Sequence, residues 1–63
     1  MLEYVKTILM KVSFDRRLFE KELRKALNLL VPAEIQLFKE WCYSKFSSKY
    51  EPVLNKYFIG LAG

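Results

Sequence analysis

An all-α fold is predicted by three observations. Apolar residues recur at helical spacing along nearly the whole chain, there are only two glycines and two prolines to interrupt them, and Pro32 stands where one amphipathic stretch must end and another begin. The expected architecture is a compact bundle of three main helices, at about residues 2–12, 16–30 and 32–46, plus a short C-terminal helix at about 49–59. All of it falls in a single domain covering residues 1–63. In a domain this small one core contributes only about 3–5 kcal/mol, so self-association is a natural supplement.

Residues 2–12 place Leu2, Val5, Ile8, Leu9 and Val12 on one stripe, with Glu3, Lys6, Thr7 and Lys11 elsewhere, which is the pattern of an amphipathic helix. Ser13, Phe14 and Asp15 follow. Asp15 as N-cap would put Phe14 and Phe19 at the positions of a hydrophobic staple, whereas capping at Ser13 would pair Val12 with Arg17, so Asp15 is preferred. From Arg16 to Leu30 the residues Phe19, Leu23, Ala26, Leu27 and Leu30 share one face, and Leu18 and Leu29 widen it on one side.

The stretch LNLLVPAE, residues 27–34, is a corner. Proline lacks an N–H and fixes φ, which suits the first position of a helix and pushes the residue before it out of the α region. The second helix should therefore stop near Leu30 and the third should start at Pro32, with the Glu34 carboxylate facing the positive end of the helix dipole. Ile35, Phe38, Cys42 and Phe46 line one face of this third helix, and Leu37 and Trp41 form a second apolar ridge about 100° away. Ser47 and Ser48 interrupt the pattern, and Ser48 with Glu51 resembles a capping box, with Pro52 in the first turn beyond it. Tyr50, Val53, Leu54, Tyr57 and Phe58 would then share the apolar face of the short last helix. Gly60 is its expected stop, and residues 61–63 are expected to fray.

The runs YVKTILMKVSFD, LVPAEI and EWCYSKF together resemble short, functionally uncharacterised helical proteins of Bacteroidota-type bacteria. The resemblance covers nearly the whole chain and implies a bacterial origin. It brings no catalytic or binding motif with it.

Residue types argue against catalysis. There is no His, and the carboxylates Glu3, Asp15, Glu20, Glu22, Glu34, Glu40 and Glu51 mostly occupy caps or positions opposite basic residues. Cys42 lies mid-stripe between Phe38 and Phe46, where a packing thiol is expected rather than a nucleophile. One Cys and no His exclude both an internal disulfide and a zinc site of the usual type, and no glycine-rich phosphate loop is present. The expectation is a non-enzyme with no cofactor and no metal. The N-terminal apolar stretch is broken by Glu3, Lys6 and Lys11, so neither a signal peptide nor a membrane span is expected and the reading is cytoplasmic.

Charge is distributed unevenly. Residues 6–25 carry seven cations against three acids, so the whole excess of +4 lies there. On the second helix Arg17, Lys21, Arg24 and Lys25 share the face opposite the apolar stripe, and Arg16 opens the helix, where the dipole disfavours a cation. These five are the candidate contacts to a partner or to phosphates. A solvated face is the ordinary reading of such a ridge, and four or five cations give only weak, salt-sensitive nucleic-acid binding. A helix-turn-helix reader of DNA is disfavoured, because the helix after Pro32 would present Ala33, Glu34, Gln36 and Lys39 to the bases, with one basic residue and a carboxylate. Trp41 and Tyr43 are the candidate interface aromatics, since both rings offer large area with a polar tip. The expected role is a protein-protein interaction module, a homodimer being the simplest case. Accessory nucleic-acid binding along the basic ridge is the alternative.

Overall fold

A computed structural model describes residues 1–62, with side chains through Ile59. The described residues form three α-helices: α1 (Leu2–Lys11), α2 (Arg16–Leu29) and α3 (Pro32–Ala62). In α1, Val5 and Leu9 turn fully inward, and Glu3 and Lys11 sit at the helix ends that favour their charges. The helix ends one residue earlier than expected. Val12 caps it, its N–H shared between the carbonyls of Ile8 and Leu9.

Asp15 caps α2 as the spacing predicts. Its backbone is extended and its Oδ1 accepts from the N–H groups of Arg17 at 2.9 Å and Leu18 at 3.1 Å, satisfying two donors that the first turn leaves unpaired. The expected staple does not form. Phe14 is 76% exposed while Phe19 is fully buried, because the Phe19 ring is already taken up by Tyr50 stacked at 4.2 Å and by the edge of Phe46 at 5.0 Å.

At the corner, α2 stops at Leu29 and Leu30 is extended, with φ −82° and ψ 145°. Pro32 opens α3, the Val31 carbonyl accepts from the Ile35 N–H at 2.9 Å, and the Glu34 carboxylate reaches back to the Val31 N–H at 3.4 Å. That backward reach is one half of a capping box.

The short fourth helix expected at 49–59 is not a separate element. Those residues continue α3, which runs through Ser47 and Ser48 and departs from helical geometry only at Tyr50, at φ −123° and ψ 23°, with Pro52 two residues on. Among the described residues no side-chain hydrogen bond joins Ser48 to Glu51, and Gly60 does not stop the helix, which reaches Ala62. Gly63 lies outside the described residues. The missing N–H of Pro52 and the clash of its ring with the carbonyl one turn earlier explain a kink at this place. The kink is sharp: 31 residues in a straight helix would span about 46 Å, yet the longest dimension of the molecule is 27 Å. The distal arm beyond Tyr50 therefore folds back on the proximal arm, bringing Phe58 to 6.1 Å from Phe38 and 5.9 Å from Tyr43.

The core lies between α1, α2 and the two arms of α3. Val5, Leu9, Phe19, Leu23, Ala26, Leu30, Phe38, Cys42, Phe46, Tyr50, Val53, Leu54 and Phe58 are buried, and no charged side chain joins them among the described residues. Of the two apolar ridges read on the third helix, the first is confirmed at Phe38, Cys42 and Phe46. The second divides: Trp41 is half-buried against Phe38 and Phe46, whereas Leu37 stays 55% exposed. A single backbone oxygen ties the ends of this arrangement together. The Ser13 carbonyl, in the turn after α1, accepts from the Tyr50 hydroxyl at the kink and from the Lys49 ammonium at 3.0 Å.

Candidate functional site

Helix α2 has a buried face and two flanks, and the flanks are built differently. On the flank toward the distal arm of α3, Glu20 accepts at Oε1 from the Lys56 ammonium at 2.9 Å and from the Tyr57 hydroxyl at 2.7 Å. The hydrogen bond from Lys56 comes first among the causes that hold the Glu20 carboxyl below its ordinary range, followed by the one from Tyr57. Partial desolvation and the carboxylate beside it push the Tyr57 phenol up, and the same carboxylate raises Lys56. This flank is closed by polar ties.

The other flank opens on a groove between α1 and α2, about 360 Å³ in volume. Its floor is Val5 and Ala26, Tyr4, Ile8 and Leu29 form its walls, and Glu22 and Lys25 border it as an ion pair at 3.5 Å. Tyr4 is 60% exposed and Leu29 54% exposed. The helical repeat accounts for the arrangement. Tyr4 and Ile8 fall on the flank of α1 that turns toward α2, while Leu18, Glu22, Lys25 and Leu29 form one row along α2, about 100° from the centre of its buried face. Leu18 is exposed as well.

The five cations proposed from the sequence are dispersed among three settings. Arg17, Lys21 and Arg24 remain together on the solvent side and border a shallow depression with Glu20 and Tyr57. None of the three forms an ion pair among the described residues. Lys25 belongs to the groove through Glu22. Arg16 lies beside the α3 kink, where it borders a second shallow depression with Lys49 and Pro52. Sequence reasoning left out Lys49, which stands beside Arg16 just before the kink, and Lys56, which lies on the distal arm paired with Glu20.

The two candidate interface aromatics have partners inside the molecule. Trp41 is half-buried, packed against Phe38 at 6.0 Å and Phe46 at 5.4 Å, with the Lys6 ammonium 5.7 Å from its ring centre. The Tyr43 hydroxyl donates to Asn55 Oδ1 across the α3 hairpin, and partial desolvation raises its pKa. Cys42 is fully buried, and burial pushes its thiol up to about 12, far from a thiolate at neutral pH. Among the described residues no three His, Cys, Asp or Glu side chains gather as metal ligands, and no helix is long and apolar enough to cross a membrane.

The groove was missed from sequence because its walls come from two helices and its residues look like the margins of two stripes. The signal that could have found it is the excess width of the α2 stripe at Leu18 and Leu29, which one neighbouring helix cannot cover. No family model, curated protein or solved structure matches the chain. Its function must be argued from these surfaces.

Proposed function

We propose that this chain is a non-catalytic interaction module of a bacterial cytoplasm, and that it binds a protein partner through the α1–α2 groove. The supporting observation is the pair of walls, Tyr4 and Leu29, each more than half exposed around an apolar floor. Contiguous apolar surface with a charged border is how soluble proteins present a binding face. A photo-activatable aromatic amino acid placed at position 4 should cross-link to protein in cells, while the same group at exposed position 45 on α3 should not. Equal yields from the two positions would remove the groove from consideration.

A second reading, nucleic-acid binding, draws support from Arg17, Lys21 and Arg24. The carboxylate beside them, Glu20, is already engaged by Lys56 and Tyr57, so the three cations keep their charge, and Lys49 stands beside Arg16 at the end of the ridge. Cations in such a row lie along phosphates and release counterions, so affinity would fall by about 0.7–0.9 logarithmic units per contact for each tenfold rise in salt. RNA and DNA binding at about 50 mM salt, lost when Arg17, Lys21 and Arg24 are together replaced by Glu, is the expected result. Absence of binding at that salt rejects this reading.

A further inference from the structure

Glu22, Lys25 and Leu29 border the groove, and the same row continues one turn beyond it to the exposed Leu18, reading Leu18, Glu22, Lys25, Leu29 along α2. Its spacings of four, three and four residues follow one side of the helix. The row is also symmetric in kind about its midpoint: leucine at each end and, between them, one acid and one base. In an antiparallel helix pair, opposed residues have position numbers with a constant sum. When that sum is 47, Leu18 faces Leu29 of the other helix and Glu22 faces Lys25, and each contact occurs twice. A row with two acids or two bases in the middle would repel itself in this register. This one attracts.

We propose that the occupant of the groove is a second copy of this chain, with the two α2 helices antiparallel across a two-fold axis. This rests on the interaction reading above and names its partner. The interface is isologous, as most homodimer interfaces are. Leu29 of each copy covers Leu18 of the other near the two ends of the contact, the central charges pair across the axis, and Tyr4 and Ile8 of each copy flank the incoming helix. Three features converge on this occupant: exposed leucines at both ends of the row, opposite charges at its centre, and an apolar groove alongside that Glu22, Lys25 and Leu29 of the same row border. The intramolecular Glu22–Lys25 contact, three residues apart at 3.5 Å, then becomes half of a four-charge cluster. Burying the leucine row also adds apolar contact that a chain of 63 residues has difficulty supplying alone.

Charge exchange provides the test. Glu22→Lys places bases opposite bases in the self-pair, and Lys25→Glu places acids opposite acids. Mixed together, the two variants again set acid against base at both central contacts. Sedimentation equilibrium from about 1 to 200 µM, a range suited to a micromolar dissociation constant, should give twice 7.5 kDa for the wild-type chain. Each variant alone should associate at least tenfold more weakly, while both retain the wild-type helical circular dichroism. Their equimolar mixture should recover the association as a 1:1 heterodimer.

A wild-type chain monomeric throughout that range overturns the proposal. So does a mixture that associates no better than its components, or a pair of variants that each dimerise like wild type. The groove reading fails separately. A monomeric wild type that still cross-links to another protein from position 4, and loses the cross-link on Leu29→Glu, keeps the groove as a binding face and removes the second copy. A monomer without any cross-link from position 4 removes both.

Discussion

The two flanks of α2 border the same buried face, yet one is closed by polar ties and the other is open. Toward the distal arm of α3, Glu20 is held by an ammonium and a phenol from a segment more than thirty residues away in sequence. Toward α1, Leu18 and Leu29 stand exposed, and the charged pair between them is local, three residues apart. The difference teaches where the chain is complete. Long-range polar ties are specific and use up the groups that make them, while exposed leucines beside a self-contained ion pair are free to meet another surface.

The largest effect should come from the floor that both flanks share. Leu23 is fully buried, and Leu23→Ala should destabilise by about 2–5 kcal/mol through lost transfer energy and the cavity left behind. For a domain of this size that approaches the whole stability, so helical ellipticity should be largely lost at room temperature. A cooperative melt near the wild-type midpoint would show that Leu23 contributes little to the core.

The closed flank should respond next. Tyr57→Phe removes the hydroxyl that donates to Glu20 and should lower stability by about 0.5–1 kcal/mol in urea titrations. Leu29→Ala, on the open flank, should stay within about 0.5 kcal/mol when measured on the monomer at low concentration, while weakening self-association at high concentration. If Leu29→Ala destabilised the monomer more than Tyr57→Phe, the open flank would be structural and the contrast would disappear.

The smallest effect is in pH dependence. The Glu20 carboxyl is held below its ordinary value of 4.5 by the hydrogen bonds from Lys56 and Tyr57. A lowered acid pKa gives stability that is present above the unfolded value and lost as pH falls through the folded one. Lys56 and Tyr57 are raised above 10.5 and 10.0, so the same tie is lost at the alkaline end as pH rises through their folded values. The thermal midpoint of the wild-type chain should therefore fall faster below pH 4.5 than that of Glu20→Gln. Parallel acid limbs for the two proteins would show that this carboxylate contributes nothing to the closed flank.

Much of this architecture was legible in the sequence because local chemistry dictates it. Asp15 starts α2 and Pro32 starts α3 where side-chain capping and the proline ring require it. The helical repeat likewise identified Phe19, Leu23, Phe38, Cys42 and Phe46 as core. What sequence did not convey depends on direction. Pro52 accounts for a kink, but the serine pair suggested a break at Ser48 rather than a bend at Tyr50, and the direction of the bend, which folds Phe58 back onto Phe38, is set by tertiary packing. Phe14 looked like a staple because spacing alone cannot register that Tyr50 already covers Phe19. The basic ridge was read as one row of cations, whereas α1 and α3 divide it by claiming Lys25 and Arg16 for different surroundings.

The Ser13 carbonyl has a consequence for how the molecule opens. It accepts from Lys49 and Tyr50, residues 36 and 37 positions further along the chain, so the turn after α1 is moored to the hinge of the hairpin. An N-terminal helix of ten residues would ordinarily be the first segment to exchange its amide hydrogens, by fraying on its own. Here the C-terminal end of α1 cannot swing away without releasing the kink, and the kink cannot straighten without releasing α1. Protection against hydrogen exchange should therefore rise from Leu2 toward Leu9, and the amides near Leu9 should exchange together with those flanking Tyr50, as one cooperative unit made from opposite ends of the chain.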